Sequence, residues 1–392
     1  MIKTLLFSSL YPNSQKSRHG IFVETRLRQL LKSEQVETKV IAPIPSFPFK
    51  FGPFKRYAAQ DIVPEFEVLN EINIYHPRYT VIPKIGQNLA PKKMAAAALP
   101  VIKKLIANGF DFDIIDAHYF FPDGVAAAII AKELNKPLVI TARGTDVNLF
   151  ADYKKSGAMI KSAANQCDAI ICVADALKQK LVGKGIDPEK IFVLRNGVDK
   201  DVFYPLKPNI RDELRKKLKI TQKTILAVGN LTELKGFDLV ISSLTQLPEI
   251  QAIIIGEGEE GSSLKQQAQD LNLSARVNFI PNVSQAELRE YYTAADALVL
   301  ASSREGMPNV VLEALACGTP VVATNVGGVA EVLTPECGII IDTRNSDDIA
   351  DALKKVIQGE YSRDEIAGIG AKNSWQQTTQ GQLDIFSRIR DK

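Results

Sequence analysis

Short apolar runs alternate with amphipathic stretches along most of the chain. In the first half, apolar runs such as residues 4–8 predict buried strands, and stretches such as residues 22–32 predict helices. The other elements predicted there are strands at 38–41, 114–116, 138–141, 169–173 and 191–194 and helices at 124–134, 158–165 and 174–182. This alternation is typical of parallel sheets built from strand–helix–strand units.

The pattern stops near residue 200 and then begins again. Residues 195–199 and the Pro-containing stretch 203–208 are linker-like. Six further strands are predicted at 224–229, 252–256, 277–280, 297–301, 320–324 and 338–341. We therefore predict an α/β protein with two doubly wound, Rossmann-like parallel-sheet domains, 1–200 and 201–370. Ligands of such sheets bind beyond the carboxyl ends of the strands, so two facing domains predict a site in the cleft.

Composition narrows the class of protein. The chain has 392 residues, of which 45% are hydrophobic and 24% charged, as in ordinary soluble globular proteins. No run approaches the ~20 apolar residues of a membrane span, and the opening residues do not resemble a signal peptide. The four cysteines form no C-x-x-C pair, which favours free thiols in a reducing cytoplasm. The three histidines are scattered, and no D-x-D motif ends a strand, so no metal site is predicted.

The charge is distributed unevenly. Residues 1–110 contain 16 Lys and Arg and 7 Asp and Glu, a net +9, whereas the remainder carries −6. A basic first half favours an anionic partner such as a membrane surface, a lipid-linked diphosphate or an acidic glycan. No nucleic-acid recognition motif is present.

Residues 43–60 depart from the α/β pattern, with four Pro, four Phe and three basic residues. Two interpretations stay open for them: peripheral contact with an anionic membrane surface, or a loop whose phenylalanines pack on their own domain.

The stretch from Glu305 to Glu313 holds the most specific chemistry, with two glutamates seven residues apart. Pro308 suits a first helical position, because the amide it lacks would be unpaired there. The free amides of residues 309–311 would then face an anion such as a diphosphate, while the two carboxylates grip hydroxyl groups on either side. The alternative is a solvated helix with an ordinary glutamate in its first turn.

Residues 302–328 closely resemble the E-x7-E signature of retaining glycosyltransferases of family GT4, which have the GT-B fold. The resemblance implies a nucleotide-sugar donor, most simply a UDP-sugar, and neither a bound metal nor another cofactor. It implies that Glu313 holds the ribose and that Glu305 lies under the sugar. The donor-binding positions that it implies are Gly20, Asn230, Lys235, Glu305, Gly306, Met307, Asn309, Val310 and Glu313.

The segment 228–236 resembles the family pattern G-R-L-x-x-x-K-G. We expect Lys235 to be one of the catalytic residues, as the cation that stabilises the departing diphosphate. Asn230 stands where the family usually has Arg, which leaves a neutral and weaker hydrogen-bond donor there.

The first domain adds further candidates through the same resemblance. Gly20 matches the glycine loop whose amide approaches the donor phosphate, and Arg18 beside it is a candidate for the acceptor side. His118 matches the histidine that faces the donor sugar, so it is a second catalytic candidate beside Glu305 and Lys235. Residues 141–146 resemble T-x-H-G-x-D, with Arg143 in place of the usual His. Arg143 and Asp146 are therefore candidates for binding an acidic acceptor or for supporting the cleft.

The sequence predicts a retaining glycosyltransferase that moves a sugar from a nucleotide sugar to a glycan or lipid-linked acceptor in cell-surface polysaccharide synthesis. It is expected in the cytoplasm or at the cytoplasmic membrane face, with a C-terminal helix over 371–392 that crosses back to the first domain. One alternative is a GT-B nucleotide-sugar epimerase, against which the E-x7-E pattern argues. Another is a nucleotide-sugar-binding module without turnover, which Asn230 keeps open.

Overall fold

The computed structural model describes residues 1–46, 62–80 and 86–391. The chain forms two compact units, one of residues 1–195 with 376–392 and one of residues 196–375. The sequence placed this boundary near residue 200. Most of the Phe-rich segment 43–60, for which membrane contact was one interpretation, lies outside the described residues.

Within the described residues, the first unit contains an eight-stranded sheet that is parallel except for the last pair of strands at one edge, which is antiparallel. Its strand order is β10-β9-β8-β7-β1-β2-β5-β4, and a separate parallel pair joins β3 to β6. The strands are β1 (Ile2–Phe7), β2 (Val36–Ile41), β3 (Ile44–Ser46), β4 (Phe66–Leu69), β5 (Ile72–Tyr75), β6 (Arg78–Thr80), β7 (Ile114–His118), β8 (Leu138–Ala142), β9 (Ala169–Cys172) and β10 (Ile191–Val193). Every residue of β7, β8 and β9 is buried, which explains their continuous apolar runs.

Helices cover the first sheet, and one of them comes from the end of the chain. The α-helices are Ile21–Leu31, Ala90–Ala107, Val125–Leu134, Thr145–Asn148, Lys154–Gln166, Asp175–Gly183 and Trp375–Arg390. Leu383 and Phe386 of the last helix join a buried cluster with Ile2 and Ile114 of the sheet. The C-terminal helix is therefore part of the first unit's core.

The second unit is a six-stranded parallel sheet with the order β13-β12-β11-β14-β15-β16. Its strands are β11 (Lys223–Val228), β12 (Ile250–Ile255), β13 (Val277–Ile280), β14 (Ala297–Leu300), β15 (Val321–Thr324) and β16 (Gly338–Ile341). Its α-helices are Pro208–Lys217, Phe237–Ser243, Gly261–Asp270, Gln285–Ala294, Asn309–Ala316, Ser346–Gln358 and Arg363–Gly370. The chain leaves the sheet on one side after β13 and resumes on the other with β14, so the direction reverses between β11 and β14, where ligands of such sheets bind.

All twelve predicted strands are present to within two residues at each end, and the four predicted helices are present. One of these helices, predicted at 158–165, begins earlier, at Lys154. The prediction for Pro308 was wrong by one position, because the helix begins at Asn309 and Pro308 precedes it in an extended conformation. The helix Ala90–Ala107 was not predicted, because Pro100 inside it reads as a helix breaker.

Candidate active site

Lys235 lies in the turn that follows β11, beside the end of β14. Gly236, the next residue, has φ +67, and an added Cβ there would lie 2.3 Å from the carbonyl oxygen of Ala301. The amide of Ser303 donates to the carbonyl of Leu234 at 2.9 Å. The close approach of Gly236 to Ala301 and the hydrogen bond from Ser303 to Leu234 both involve the backbone. They hold the lysine turn against the loop after β14, at the point where the sheet reverses direction.

Lys235 and Glu305 meet directly. Their Nζ and Oε1 atoms are 2.6 Å apart, and the side chains are 22% and 12% exposed. The hydroxyl of Ser302 also donates to Oε1 of Glu305 at 2.6 Å, and the carbonyl of Ser302 accepts from the hydroxyl of Thr324. The sequence-predicted cation and sugar-facing carboxylate therefore form one oriented pair at the carboxyl ends of β11 and β14.

Asn230 lies in the same turn, but its side chain is exposed. Its carbonyl accepts from the amide of Thr232 at 2.8 Å, which closes the turn. Leu231, between them, is fixed by a bond from its amide to the carbonyl of Glu257. The position usually held by Arg is thus filled by a short, neutral and solvated side chain.

The loop from Glu305 to Pro308 is fixed from the side of β15. The carbonyl of Gly306 accepts from the amide of Gly328 at 2.7 Å. Gly327 has φ +56, and a Cβ there would lie 2.3 Å from the carbonyl oxygen of Glu305. Met307 is buried beneath this loop. The backbone on both sides of the predicted sugar-facing carboxylate is therefore held in one conformation.

The helix Asn309–Ala316 presents free donors at its start. Among the described residues, no oxygen accepts from the amides of Asn309 or Val310, whereas the amide of Val311 donates to the carbonyl of Pro308. The expectation of three free amides is corrected to two. The side chain of Asn309 is held by the amide of Asn196 at 2.9 Å. The first turn of this helix can still accommodate an anion.

Glu313 lies one turn beyond Asn309 on the same helix face. Its Oε2 accepts from the hydroxyl of Tyr292 at 2.9 Å. Tyr292 is fully buried, and burial followed by the Glu313 charge raises its pKa, so the phenol keeps its proton and remains a donor. Tyr292 thereby orients a carboxylate that is itself half-buried.

In the first unit, Gly20 begins the helix Ile21–Leu31 in a left-handed conformation, with φ +68. An added Cβ would lie 2.1 Å from the carbonyl oxygen of Leu10, so only glycine fits here. In the described part of the chain, no oxygen accepts a hydrogen bond from the amide of Gly20. The neighbouring side chain of Arg18 is exposed.

His118 ends β7 and is almost completely buried, with 1% of its surface exposed. One ring nitrogen, Nε2, is 3.2 Å from Asp116 Oδ2, and the other, Nδ1, is 2.6 Å from Nη2 of Arg143. Burial lowers the pKa of His118 to about 4, although the Asp116 carboxylate acts in the opposite direction. The ring is therefore neutral at pH 7, with both nitrogens bonded to protein groups.

Arg143 and Asp146 are buried rather than open to a ligand. Asp146 accepts from the backbone amides of Phe120, Arg143 and Gly144 at 2.7–3.1 Å. Arg143 is 9% exposed and contacts His118. Of the two alternatives for this pair, the geometry favours support of the site over contact with an acceptor.

Several residues that orient these candidates were not predicted from the sequence. Asp116 has a local signal, since positions i and i+2 of a strand share a face and Asp116 is two residues from His118. Ser302 and Tyr292 act through tertiary contacts without a comparable pattern. Within the described residues, no group of three or more His, Cys, Asp or Glu side chains is arranged to hold a metal ion, and no helix is long and apolar enough to cross a membrane.

Both halves of the chain match known protein families. Residues 210–373 match the family model described as Glycosyl transferases group 1, and residues 23–202 match Glycosyltransferase Family 4. A protein of Bacillus subtilis (strain 168) named for teichuronic acid biosynthesis, the glycosyltransferase TuaC, is 31% identical over 393 residues, which cover 98% of this chain and 95% of that protein.

The chain belongs to glycosyltransferase family 4. Solved structures similar to this transferase have the same two-domain GT-B fold. HepE of Anabaena, solved in complex with UDP, has a TM-score of 0.72 at 21% identity and covers 99% of this chain and 100% of that one. Sucrose-phosphate synthase of Thermosynechococcus elongatus has a TM-score of 0.77 at 17% identity, with 99% of each chain covered. The predicted family, fold and enzyme class are confirmed.

Proposed function

We propose that this glycosyltransferase transfers a sugar from a UDP-sugar to a glycan or lipid-linked acceptor in cell-surface polysaccharide synthesis, with retention of the anomeric configuration. The observation that carries the proposal is the Lys235–Glu305 pair at the reversal point of the second sheet, beside a helix start with free amides. The relative TuaC, named for teichuronic acid biosynthesis, supports the polysaccharide context. HepE, solved with UDP and with UDP-glucose, supports the choice of UDP.

Different groups of the second unit would bind the diphosphate, the sugar and the ribose of the donor. Lys235 Nζ meets a diphosphate oxygen, and the amides of Asn309 and Val310 donate to the same group. Glu305 then exchanges its lysine partner for a hydroxyl of the sugar, while Glu313, oriented by Tyr292, accepts from the ribose. The two carboxylates bind different parts of one donor, with cationic and amide groups between them.

The reaction breaks the bond between the anomeric carbon and the diphosphate oxygen and forms a bond to the acceptor oxygen on the same face. The acceptor proton passes to the departing phosphate oxygen, and UDP leaves. Lys235 and the helix amides stabilise the negative charge that develops on the diphosphate, because they are already oriented before the reaction. We propose that these groups supply the positive field in place of a metal, so activity should persist in EDTA.

Calorimetry with UDP, GDP and ADP tests the donor assignment. UDP should bind more tightly than the other two, and a UDP concentration of 100 Kd should stabilise the protein by about 2.7 kcal/mol. Preferential binding of GDP or ADP would contradict the assignment. Release of UDP from a UDP-sugar during incubation would exclude a binding module without turnover, the alternative that the neutral Asn230 keeps open.

We propose further that the first unit contacts an anionic membrane surface from which the acceptor is taken. The basic charge of residues 1–110 supports this, as do exposed apolar side chains that follow the Phe-rich segment in the sequence, among them Phe66, Val68 and Leu89. Each basic residue near such a surface contributes about 1 kcal/mol. Replacing Lys50, Lys55 and Arg56 with Gln should weaken sedimentation with anionic vesicles and leave UDP affinity unchanged. A wild-type protein that stays in the supernatant with these vesicles would contradict the proposal.

A further inference from the structure

A network of hydrogen-bonded, buried polar side chains joins the C-terminal helix to His118 within the first unit. Arg26 Nε donates to Gln382 Oε1 at 2.9 Å, and Gln382 Nε2 donates to Asp116 Oδ2 at 3.0 Å. Asp116 Oδ2 lies 3.2 Å from Nε2 of His118. All four residues are at most 2% exposed. This network connects the helix Ile21–Leu31, the helix Trp375–Arg390 and strand β7.

In this network, the donor and the acceptor of each hydrogen bond can be assigned. Arginine only donates, so the atom of Gln382 that faces Arg26 must be the amide oxygen, and the amide nitrogen must face Asp116. Arg143 likewise only donates, so Nδ1 of His118 must accept from it and cannot carry the proton. The ring proton is therefore on Nε2 and is donated to Asp116.

We propose that Gln382 is a positioning residue for His118: by fixing the Asp116 carboxylate, it sets the orientation of the ring, whose Nε2–H tautomer Arg143 already imposes. Its effect on turnover rests on the proposed function, whereas its effect on the ring orientation does not. The amide fits this role because a glutamine both accepts from Arg26 and donates to Asp116, which an apolar side chain of similar length cannot do. A buried amide without such partners would only destabilise the fold.

The tautomer can be measured directly in the whole protein. With ¹⁵N-labelled histidine, long-range proton–nitrogen correlation spectra distinguish Nδ1–H from Nε2–H. The chain has three histidines, so the His19→Gln and His76→Gln variants assign the signals. In the wild type at pH 7, His118 should show the Nε2–H form alone. An Nδ1–H signal or a mixture would overturn the inference without any variant.

Gln382→Met and Gln382→Leu test the role of the amide. Either folded variant should keep the Nε2–H tautomer but show a shifted Nε2 signal, and kcat should fall about tenfold or more with little change in the KM for the donor. Gln380→Met is the matched control, because Gln380 is an exposed glutamine of the same helix whose side-chain amide donates a hydrogen bond to Asp384. It should resemble the wild type in both measurements.

Wild-type ring signals in a folded Gln382 variant would overturn the proposal. If the wild type transfers no sugar but the ring signals change as expected, the positioning of His118 stands and the proposed function fails. If the signals change while kcat stays at the wild-type value, the catalytic part of the inference is wrong.

Discussion

Replacement of Lys235 by Ala should separate catalysis from stability. Lys235 and Glu305 are in contact at 2.6 Å and are 22% and 12% exposed, between a surface ion pair and a buried one. Loss of an exposed pair costs up to about 1 kcal/mol, and loss of one partner of a buried pair costs about 3–5 kcal/mol. We therefore expect Lys235→Ala to lower the free energy of unfolding by about 1–2 kcal/mol.

The effect on turnover should be larger. Removal of one preorganised charge stabiliser typically lowers kcat by roughly 10²–10³-fold. The affinity for UDP should also fall, because the positive charge of Lys235 would no longer offset the negative charge of Glu305 near the diphosphate. The double variant Lys235→Ala/Glu305→Gln should regain part of that UDP affinity, since it removes the negative charge of Glu305.

Lys217→Ala is a matched control for Lys235→Ala. Lys217 pairs with Glu290 at the same distance of 2.6 Å in the same unit, but the two side chains are 61% and 25% exposed. Its replacement should leave kcat and UDP affinity unchanged, with little loss of stability. Urea unfolding, calorimetry and measurement of UDP release give the three quantities. Near-normal kcat in Lys235→Ala, or equal loss of kcat in both variants, would refute the assignment of the diphosphate cation.

Three further predictions concern the carboxylates and His118. Glu313→Ala should weaken UDP binding by about 1–3 kcal/mol, whereas Glu305→Gln should reduce turnover more than UDP affinity; equal loss of affinity by calorimetry would reject this division. Tyr292→Phe should weaken UDP binding several-fold because Glu313 loses the hydrogen bond from the Tyr292 hydroxyl, and Tyr291→Phe should not; identical UDP affinities would contradict this role. Burial lowers the pKa of His118 to about 4, so between pH 6.5 and 4 the unfolded chain binds a proton at His118 that the folded protein does not bind. The free energy of unfolding of the wild type should therefore fall by roughly 2–3 kcal/mol as the pH falls, and His118→Gln should lack that loss. Urea midpoints that change in parallel in the two proteins would contradict this prediction.

The sequence predicted most strands of the two large sheets because these strands are short buried runs with their own local signal. Strands β3 to β6 were not predicted, because they have only three or four residues and are partly exposed. The continuous apolar residues of β14 and β15, for example, could hardly be placed elsewhere. Lys235 and Glu305 were each singled out in the sequence, but their direct contact was not predicted. It arises because the residues that follow adjacent strands of a parallel sheet meet at one edge.

The network around His118 could not be predicted in this way. Gln382 and Asp116 are far apart in sequence and meet only because the C-terminal helix packs on the first sheet. No periodicity encodes a hydrogen bond between a helix and a strand at such a separation. Arg143 shows the same difficulty: the substitution was visible in the sequence, but its burial against His118 was not.

Proton NMR of the reaction with α-linked UDP-sugars in the presence of EDTA tests the proposed donor, the retention of configuration and the independence from metal in one measurement. With a glycan acceptor, or with water as a slow substitute, we expect release of UDP and an α-configured product as the first sugar signal to appear. The corresponding GDP- and ADP-sugars should remain intact. A β-configured first product, consumption only of GDP- or ADP-sugars, or turnover that stops in EDTA and returns with Mn²⁺ would contradict the proposed reaction.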